Sequence, residues 1–216
     1  NNSTLQHYKV QEESLNSIQT SYTSARLAEN SNFENFTLAT GGSFSRNQIE
    51  VKLEGEGASA TLGGNYIITG EQHNDNHVRV HHCAPLCKSM QSYKGVLDDS
   101  AHGVFQGKTL VERDAQNTDG SQLSRTLMLS RASVMDAKPE LEIYADDVKC
   151  SHGAVVGELD AEQIFYLRSR GMQEEDAKNM LVNAFLSDNL NNISNDQGRQ
   201  YIAQHIPQSS LSVFDS

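Results

Sequence analysis

Cysteine, proline and basic residues are all scarce in this chain, and it has no long apolar run. Three cysteines, an odd and small number, do not make a disulfide framework, so we expect a reducing compartment. No apolar run approaches the roughly 20 residues that a membrane-spanning helix requires, and no signal peptide is visible. The three prolines leave the turns to glycine, asparagine and aspartate.

The shortage of positive charge argues against two classes of partner. The 216 residues include 17 lysines and arginines against 28 aspartates and glutamates, a formal net charge of −11. A nucleic-acid-binding surface needs a basic footprint against the phosphates, and an anionic membrane surface favours basic residues in the same way. We therefore expect neither nucleic acid nor a membrane among the partners, and we attribute the acidity to solubility.

Hydrophobic patterning up to about residue 157 is that of short strands. Apolar and polar residues alternate in runs such as 49–53 and 77–81, and glycine or polar residues break the runs. Alternation with a period of two predicts half-buried strands. Many short strands without intervening helices predict a sandwich, a barrel or a solenoid, and the pattern leaves all three open because no clean repeat emerges.

Helical signals begin after this region, so we divide the chain into a β domain, residues 1–158, and a helical domain, residues 159–216. Asp160 followed by Gln163 has the spacing of a capping box and predicts the start of a first helix. Gly171 is suited to end that helix.

Two further helices are predicted in the C-terminal region. The second runs over Gln173–Phe185, and acidic residues in its first turn favour the positive end of the helix dipole. Its apolar residues fall on one face that we expect to be packed within its own domain: Ala177, Met180, Leu181, Ala184 and Phe185. A weaker third helix is predicted from about residue 197 to 206.

The most distinctive candidate site is the pair Cys150 and His152, in a run with the pattern of extended structure. Positions two apart on a strand project to the same face, so this thiol and imidazole are expected side by side. Sulfur and imidazole together can hold zinc, copper or the iron of an iron–sulfur cluster. Such sites are usually four-coordinate, so the other ligands must come from elsewhere in the fold or from another chain.

A weaker cluster of potential ligands lies between residues 81 and 87. It contains His81, His82, Cys83 and Cys87, but the second half of a zinc-finger spacing is missing. A neighbouring strand-like run has three alternating polar side chains on one face: His73, Asp75 and His77. We interpret both groups as ordinary interior or surface residues.

Residues 55–60 have the glycine spacing of a dinucleotide-binding fingerprint, but residues 61–68 have the pattern of another strand. The fingerprint requires a strand, a turn and a helix in that order, so we interpret residues 55–60 as a plain turn between strands. The sequence also lacks a Walker A loop, a Gly-x-Ser-x-Gly elbow and a His-Glu-x-x-His helix.

The segment Pro139–Ala154, which contains Cys150 and His152, resembles a family signature. The family is the SufB/SufD family of the SUF iron–sulfur cluster assembly system, and the run Ala-Asp-Asp-Val-Lys-Cys-Ser-His favours its SufD branch. The resemblance covers nearly the whole chain, with further matching segments at residues 41–42, 55–58, 93–95, 105–107 and 163–171.

This resemblance implies a fold and a function. The strand-rich region would be a right-handed parallel β-helix, a solenoid, followed by a small C-terminal α-helical domain. The chain would be a non-catalytic scaffold that pairs with SufB and helps iron acquisition and nascent cluster formation at their interface. His152 matches the family's proposed ligand histidine, Cys150 lies beside it, and SufB would supply the missing ligands. The isolated chain would hold no tightly bound cofactor.

The resemblance also implies that the helical domain docks the ATPase SufC. The residues that we expect at this docking surface are Phe165, Tyr166, Arg168, Arg170 and Gly171. A homodimer is expected when SufB is absent. Because no transit peptide is visible, we expect the bacterial cytoplasm, or a plastid if the N-terminus is truncated, and the start at Asn1 without methionine suggests a fragment.

Two other functions remain open from the sequence. A β-helix can host a hydrolase or lyase site, but such sites need clustered carboxylates, and the adjacent Asp146 and Asp147 point to opposite faces of a strand. The chain could instead be a protein-interaction module in which Cys150 and His152 are only structural.

Overall fold

The computed structural model describes residues 1–207, and the end of the predicted helical domain, residues 208–216, lies outside it. The described part contains eleven strands followed by three helices. The strands are β1 (Thr4–Gln11), β2 (Ile18–Leu27), β3 (Asn32–Ala39), β4 (Phe44–Leu53), β5 (Ser59–Ile68), β6 (His73–His82), β7 (Lys88–Leu97), β8 (His102–Val111), β9 (Thr118–Met128), β10 (Val134–Ile143) and β11 (Val148–Gly157). The helices are α1 (Ala161–Ser169), α2 (Glu174–Leu190) and α3 (Asp196–Gln204).

The strands form two parallel sheets that the chain visits alternately. The odd sheet has the order β1-β3-β5-β7-β9-β11, and the even sheet has the order β10-β8-β6-β4-β2. Because consecutive strands lie in different sheets and neighbours within a sheet are parallel, the chain winds into a solenoid of about five coils. This confirms the predicted parallel β-solenoid and excludes the sandwich and the barrel.

The coils differ in length. Ile18 pairs with Phe44, 26 residues later, whereas His102 pairs with Val134, 32 residues later. Turns of different length therefore join strands of similar length, which explains why no clean repeat is visible in the sequence.

Side chains alternate between the interior of the solenoid and its outer surfaces. On β4, Ile49, Val51 and Leu53 are buried in the apolar interior, while Glu50 and Lys52 between them point outward. This is the burial pattern that a period of two predicts. The fingerprint-like residues 55–60 form the turn into β5 and the start of that strand, as predicted, and no helix follows them.

The helices begin and end near their predicted residues. Asp160 caps α1 by accepting a hydrogen bond from the backbone N–H of Glu162 at 2.8 Å, and Gly171 follows the helix with a φ of +92°. The second helix continues to Leu190, beyond the predicted end at Phe185. The third helix, α3, lies within two residues of its predicted bounds.

The packed face of α2 differs from the predicted one. Its buried residues are Ala177, Val182, Leu186, Asn189 and Leu190. Of the predicted stripe only Ala177 is fully buried, and Met180 is 49% exposed. The reason is that α2 lies on the outer surface of the odd sheet, where Val182 and Leu186 pack against apolar strand residues. Part of the predicted stripe lines a groove beside α1 instead.

The C-terminal helices share apolar clusters with the solenoid. Ile202 on α3 packs with Phe36 and Leu38 from the outer surface of β3. The domain boundary between residues 158 and 159 therefore stays a prediction, although the change from strand to helix does occur between Gly157 and Ala161. Within residues 1–207, none of the helices combines the length and apolar character needed to cross a bilayer.

Candidate functional site

The candidate site lies on β11, the last strand of the odd sheet. Cys150 is in register with Gly120 on β9, and His152 is in register with Gln122. Paired residues of parallel strands face the same side, and Gly120 and Gln122 face the interior. Cys150 and His152 therefore both lie on the interior side, as their spacing predicts. The chain leaves the solenoid after β11 to form α1, so no further coil covers this side in residues 1–207.

The thiol of Cys150 is partly shielded from solvent. It packs at the edge of a small apolar cluster that includes Val111, Ala115 and Ala145, and it is a free cysteine. Burial raises the pKa of the Cys150 thiol, and the negative charge of Asp119 raises it further. The thiol is therefore protonated near neutral pH and becomes a good ligand when a metal ion displaces its proton.

The imidazole of His152 is exposed at the open end of the solenoid. No described residue makes a hydrogen bond to its ring, so the ring is available to an incoming ligand. Within residues 1–207 no group of three or more histidine, cysteine, aspartate or glutamate side chains is arranged to hold a metal ion. Cys150 and His152 are thus two potential donors on one side of β11, and no third potential donor joins them within the described residues.

Polar residues behind His152 were missed by the sequence analysis. Gln91 and Gln122 lie in register with each other on β7 and β9, and both are buried in the solenoid. Thr109 on β8, also buried, accepts a hydrogen bond from each of the two amides. Only the register of strands one coil apart brings these residues together with His152, and no local sequence signal marks them.

The weaker candidates do not form a ligand cluster. His81 faces outward and contacts Glu112 at 2.8 Å, whereas the adjacent His82 faces the interior and is fully buried. Cys87 is buried in the apolar core, and Cys83 is partly exposed. Neighbouring residues of a strand point in opposite directions, so closeness in sequence did not bring these side chains together.

The alternating group on β6 lies on the outer surface of the even sheet. Asp75 contacts Nε2 of His77 at 2.7 Å and Nη2 of Arg46 at 2.6 Å. His73 stacks on Phe44 with ring centroids 5.2 Å apart. These side chains are therefore engaged with one another along the sheet.

An apolar rim surrounds the open end of the solenoid. Four large apolar side chains near β11 are exposed there: Ile143, Tyr144, Val155 and Val156. Within the described residues, β11 pairs only with β9, so its other edge presents free backbone groups. Exposed apolar residues beside an unpaired strand edge are typical of a protein–protein contact surface.

A second exposed surface is formed by α1, which has no buried residue. Phe165 and Tyr166 are 74% and 55% exposed. The guanidinium of Arg170 lies 4.8 Å from the ring centre of Tyr166, and Arg168 pairs with Glu174 at 2.9 Å. The predicted docking residues therefore all lie on one exposed helix and the turn that follows it.

An apolar groove separates α1 from the first half of α2. It has a volume of about 430 Å³, and its apolar lining consists of Leu167, Met180, Leu181 and Ala184 with the ring of Tyr166. The groove is continuous with the exposed residues of α1, so the two together make a mixed aromatic and apolar surface.

Buried polar contacts fasten the second half of α2 to the odd sheet. Nδ2 of Asn189 donates to the carbonyl oxygen of Gly64 at 3.0 Å, and Ser92 Oγ donates to Asn189 Oδ1 at 2.6 Å. Lys94, which is buried, pairs with Asp188 at 2.6 Å. The second half of α2 is therefore anchored firmly, while α1 projects from the solenoid.

Comparison with known proteins points to one family. The family model described as "SUF system FeS cluster assembly, SufBD core domain" matches residues 1–185. The iron–sulfur cluster assembly protein SufD of Escherichia coli is 35% identical over 208 residues, which cover 96% of this chain and 49% of the relative. A SufBD family protein of Synechocystis is 34% identical over 192 residues, 89% of this chain and 42% of the relative.

A plant relative extends the comparison. "Protein ABCI7, chloroplastic" of Arabidopsis thaliana is 33% identical over 206 residues, which cover 95% of this chain and 43% of the relative. The chain therefore spans about half or less of the length of these three relatives. Because the family match covers most of the chain, and the identity extends along nearly all of it, this chain belongs to the SufB/SufD family of iron–sulfur cluster assembly proteins and is SufD-like within it.

Proposed function

We propose that this chain is a non-catalytic scaffold on which an iron–sulfur cluster assembles at an interface with SufB. The observation that carries the proposal is the position of Cys150 and His152, a thiol and an imidazole on the open end of a stiff solenoid. Two donors leave iron incompletely coordinated, so SufB supplies the others. The iron or cluster is cargo, and the isolated chain holds it only weakly.

The chemistry of the two donors suits transient binding. Iron binds thiolate and neutral imidazole, so Cys150 must lose its proton when the metal arrives. Because burial raises the pKa of this thiol, the thiolate forms readily only with the metal present. The site therefore binds less tightly than a preformed thiolate site, which favours later transfer of the cluster to a recipient.

We propose that SufB docks on the apolar rim at the end of the solenoid. Val155 and Val156 on β11 offer apolar contacts, and the free edge of this strand can accept another strand by backbone hydrogen bonding. The same features allow a second copy of this chain to pair there when SufB is absent. Either arrangement places a partner within reach of Cys150 and His152.

We propose that the ATPase SufC docks on α1 and the groove beside it. Phe165 and Tyr166 supply exposed aromatic area, and Arg168 and Arg170 supply charge at the margin. Aromatic and arginine side chains of this kind are enriched at protein interfaces. ATP-driven dimerisation of SufC would then move residues 160–185, and the anchored half of α2 would transmit the movement through β5 and β7 to the SufB interface.

Cross-linking tests the proposed movement. SufC is cross-linked to α1 in the complex with SufB, and the alkylation rate of Cys150 is followed during ATP turnover. We expect turnover to change the alkylation rate, and the change to be absent when ATP is omitted. An unchanged rate during turnover would contradict the mechanical link between the helices and the site.

Cluster reconstitution tests the scaffold function. The chain is combined anaerobically with SufB, SufC, iron and sulfide, and the visible absorption of the cluster is compared between wild type and His152→Ala. His81→Ala is the matched control, because His81 is an outward-facing surface histidine. We expect loss of the cluster only in His152→Ala, with the complex intact by size-exclusion chromatography. An unchanged cluster would favour the structural interaction module instead.

The proposed function fits more than one compartment. The names of the relatives place one of them in a chloroplast and the others in bacteria. We propose the bacterial cytoplasm for this chain, with a plastid as the alternative, and fractionation of source cells with an antibody to the chain decides between them.

A further inference from the structure

Gly120 on β9 differs from the other strand glycines that face the interior of the solenoid. At each of the others, a Cβ atom would lie 2.9 Å or less from a neighbouring side chain: Gly64, Gly95, Gly103 and Gly107. The ring of Tyr66, for example, occupies the space beside Gly95. Glycine is required at these positions because a larger residue would overlap with the side chains that pack there.

The space beside Gly120 is not occupied in this way by any described residue. A Cβ atom here would lie 3.4 Å from Sγ of Cys150, 3.6 Å from Oγ of Ser89 and 3.8 Å from Cγ2 of Thr109, which are ordinary van der Waals distances. Gly120 is buried, and its φ is not in the left-handed region. Neither crowding nor backbone conformation therefore requires glycine, and the residue leaves a hollow of the size of a methyl group, which we call the Gly120 hollow.

Strand register places a thiol and a hydroxyl on opposite sides of the Gly120 hollow. Ser89 on β7 pairs with Gly120, and Gly120 pairs with Cys150 on β11. Cys150 is partly exposed, whereas Ser89 is buried. An atom in the hollow would therefore contact the thiol on the side of the open end and the hydroxyl on the side of the central coils.

His82 leaves the hydroxyl proton of Ser89 available. Nε2 of His82 lies 2.8 Å from Ser89 Oγ, and Nδ1 is buried without a partner within the described residues. Buried N–H groups without an acceptor are rarer in proteins than buried acceptors without a donor, so we place the ring proton on Nε2. Nε2–H then donates to Ser89 Oγ, and the hydroxyl itself can donate to an atom in the Gly120 hollow.

We propose that the Gly120 hollow holds an inorganic sulfide of the cluster, which rests on the proposed role of Cys150 as an iron ligand. Sulfide is similar in size to the methyl group that fits there. Two sulfur ligands about 2.3 Å from one tetrahedral metal ion lie about 3.7 Å apart, close to the 3.4 Å between the Cβ position and Sγ of Cys150. Ser89 Oγ–H donates to the sulfide, and hydrogen bonds of this kind tune the reduction potential of a cluster.

A methyl group placed in the hollow tests the proposal. Gly120→Ala fits without overlap, so the isolated chain should denature at the temperature of wild type or slightly above it. After anaerobic reconstitution with SufB, SufC, iron and sulfide, we expect most of the visible absorption of the cluster to be lost. A wild-type cluster in a stably folded Gly120→Ala would overturn the proposal.

Gly153→Ala is the matched control. It adds the same methyl group on β11, where the nearest atom, Cδ1 of Leu123 on the outer surface of the odd sheet, is also 3.4 Å away. We expect the cluster to form as in wild type, with the complex intact by size-exclusion chromatography in both variants. Equal losses in Gly153→Ala and Gly120→Ala would show a general effect of alanine near the open end and would also overturn the proposal.

Ser89→Ala tests the hydroxyl separately, without filling the hollow. We expect the cluster to form but its reduction potential to become more negative, because a hydrogen bond to sulfur is lost. Ser124→Ala, which removes another buried hydroxyl of the interior, is the control and should leave the potential unchanged. Redox titration of the visible absorption measures the shift, and equal potentials in Ser89→Ala and wild type would contradict the contact between Ser89 and the sulfide.

The same reconstitution separates this proposal from the proposed function. If Cys150→Ala and His152→Ala abolish the cluster but Gly120→Ala does not, the scaffold function stands and the hollow is not a sulfide site. If none of the three substitutions affects the cluster, the proposed function is wrong, and the sulfide site with it.

Discussion

A cysteine and a histidine are buried in the central coils of the solenoid, whereas another such pair is accessible on its last strand. Cys87 and His82 are fully buried, the thiol in the apolar core and the imidazole in a hydrogen bond with Ser89. Cys150 and His152 also face the interior side, but they are accessible because no coil follows β11 in the described chain. Position along the solenoid therefore decides whether such a residue serves packing or is available for binding.

The largest expected difference is in thiol reactivity. In single-cysteine variants at alkaline pH, we expect Cys150 to react with iodoacetamide faster than Cys87 by on the order of 10³-fold. The reason is that the thiol of Cys87 becomes accessible to the reagent only when the protein unfolds. Burial raises the pKa of both thiols, so alkaline conditions are needed for each. Quenched aliquots analysed by mass spectrometry give the rates, with equal labelling in denaturant as the control. Equal rates in the native state would contradict the comparison.

Substitutions of apolar residues should destabilise the protein more in the central coils than on the last strand. Phe105→Ala empties a fully buried site beside Tyr93 and should lower the free energy of unfolding by about 3–5 kcal/mol. Val155→Ala, at a side chain that is 56% exposed on β11, should change it by less than about 0.5 kcal/mol. Urea denaturation followed by circular dichroism measures both. A large loss in Val155→Ala would mean that the last strand is packed like the central ones.

The burial of His82 predicts that the free energy of unfolding depends on pH. Burial, with a smaller contribution from His81, lowers the pKa of His82 to about 4, against about 6.5 for an unfolded histidine. Neutral His82 therefore contributes its stability fully above about pH 6.5, and this contribution is lost as the pH falls towards 4. We expect wild type to lose on the order of 3 kcal/mol more over this interval than His82→Gln. Denaturation midpoints measured across this pH interval give the slope of stability against pH for each protein. Equal slopes for wild type and His82→Gln would contradict the assignment of the pH dependence to His82.

Among the disruptive substitutions, the smallest loss is expected at the anchor of α2. Asn189→Ala leaves the carbonyl of Gly64 without its side-chain donor and should destabilise the contact by about 1–3 kcal/mol. Hydrogen exchange should then rise in α2 and α3 but not in the central strands. Ser187→Ala, at an exposed position of the same helix, serves as the control and should leave the exchange unchanged.

Local patterning was sufficient for most elements but not for their arrangement. Alternation located strands such as β4, where one face is buried, and capping residues such as Asp160 located the helix starts. The solenoid itself came from the family resemblance, since coils of 26 to 32 residues hide the repeat. The face of α2 was wrong because the odd sheet offers apolar contacts to Val182 and Leu186, which helical periodicity alone does not reveal.

The candidate site, too, could be predicted only in part from local sequence patterns. The spacing of Cys150 and His152 was enough to place both on one face of a strand. The interior position of Gln122 behind His152 depends on pairing between residues 30 positions apart, which no local motif encodes. For the same reason, the potential ligands His81 and His82, although adjacent in sequence, lie on opposite faces of β6.

Pulsed electron paramagnetic resonance of the assembled complex tests the central claim most directly. Histidine labelled with nitrogen-15 is introduced only into this chain, and the cluster reconstituted with SufB and SufC is reduced to its paramagnetic state. We predict a nitrogen-15 hyperfine coupling to the cluster in wild type and in His81→Ala, and its loss in His152→Ala. A cluster that forms without any such coupling, or a coupling that survives in His152→Ala, would contradict the assignment of His152 as the ligand at the end of the solenoid.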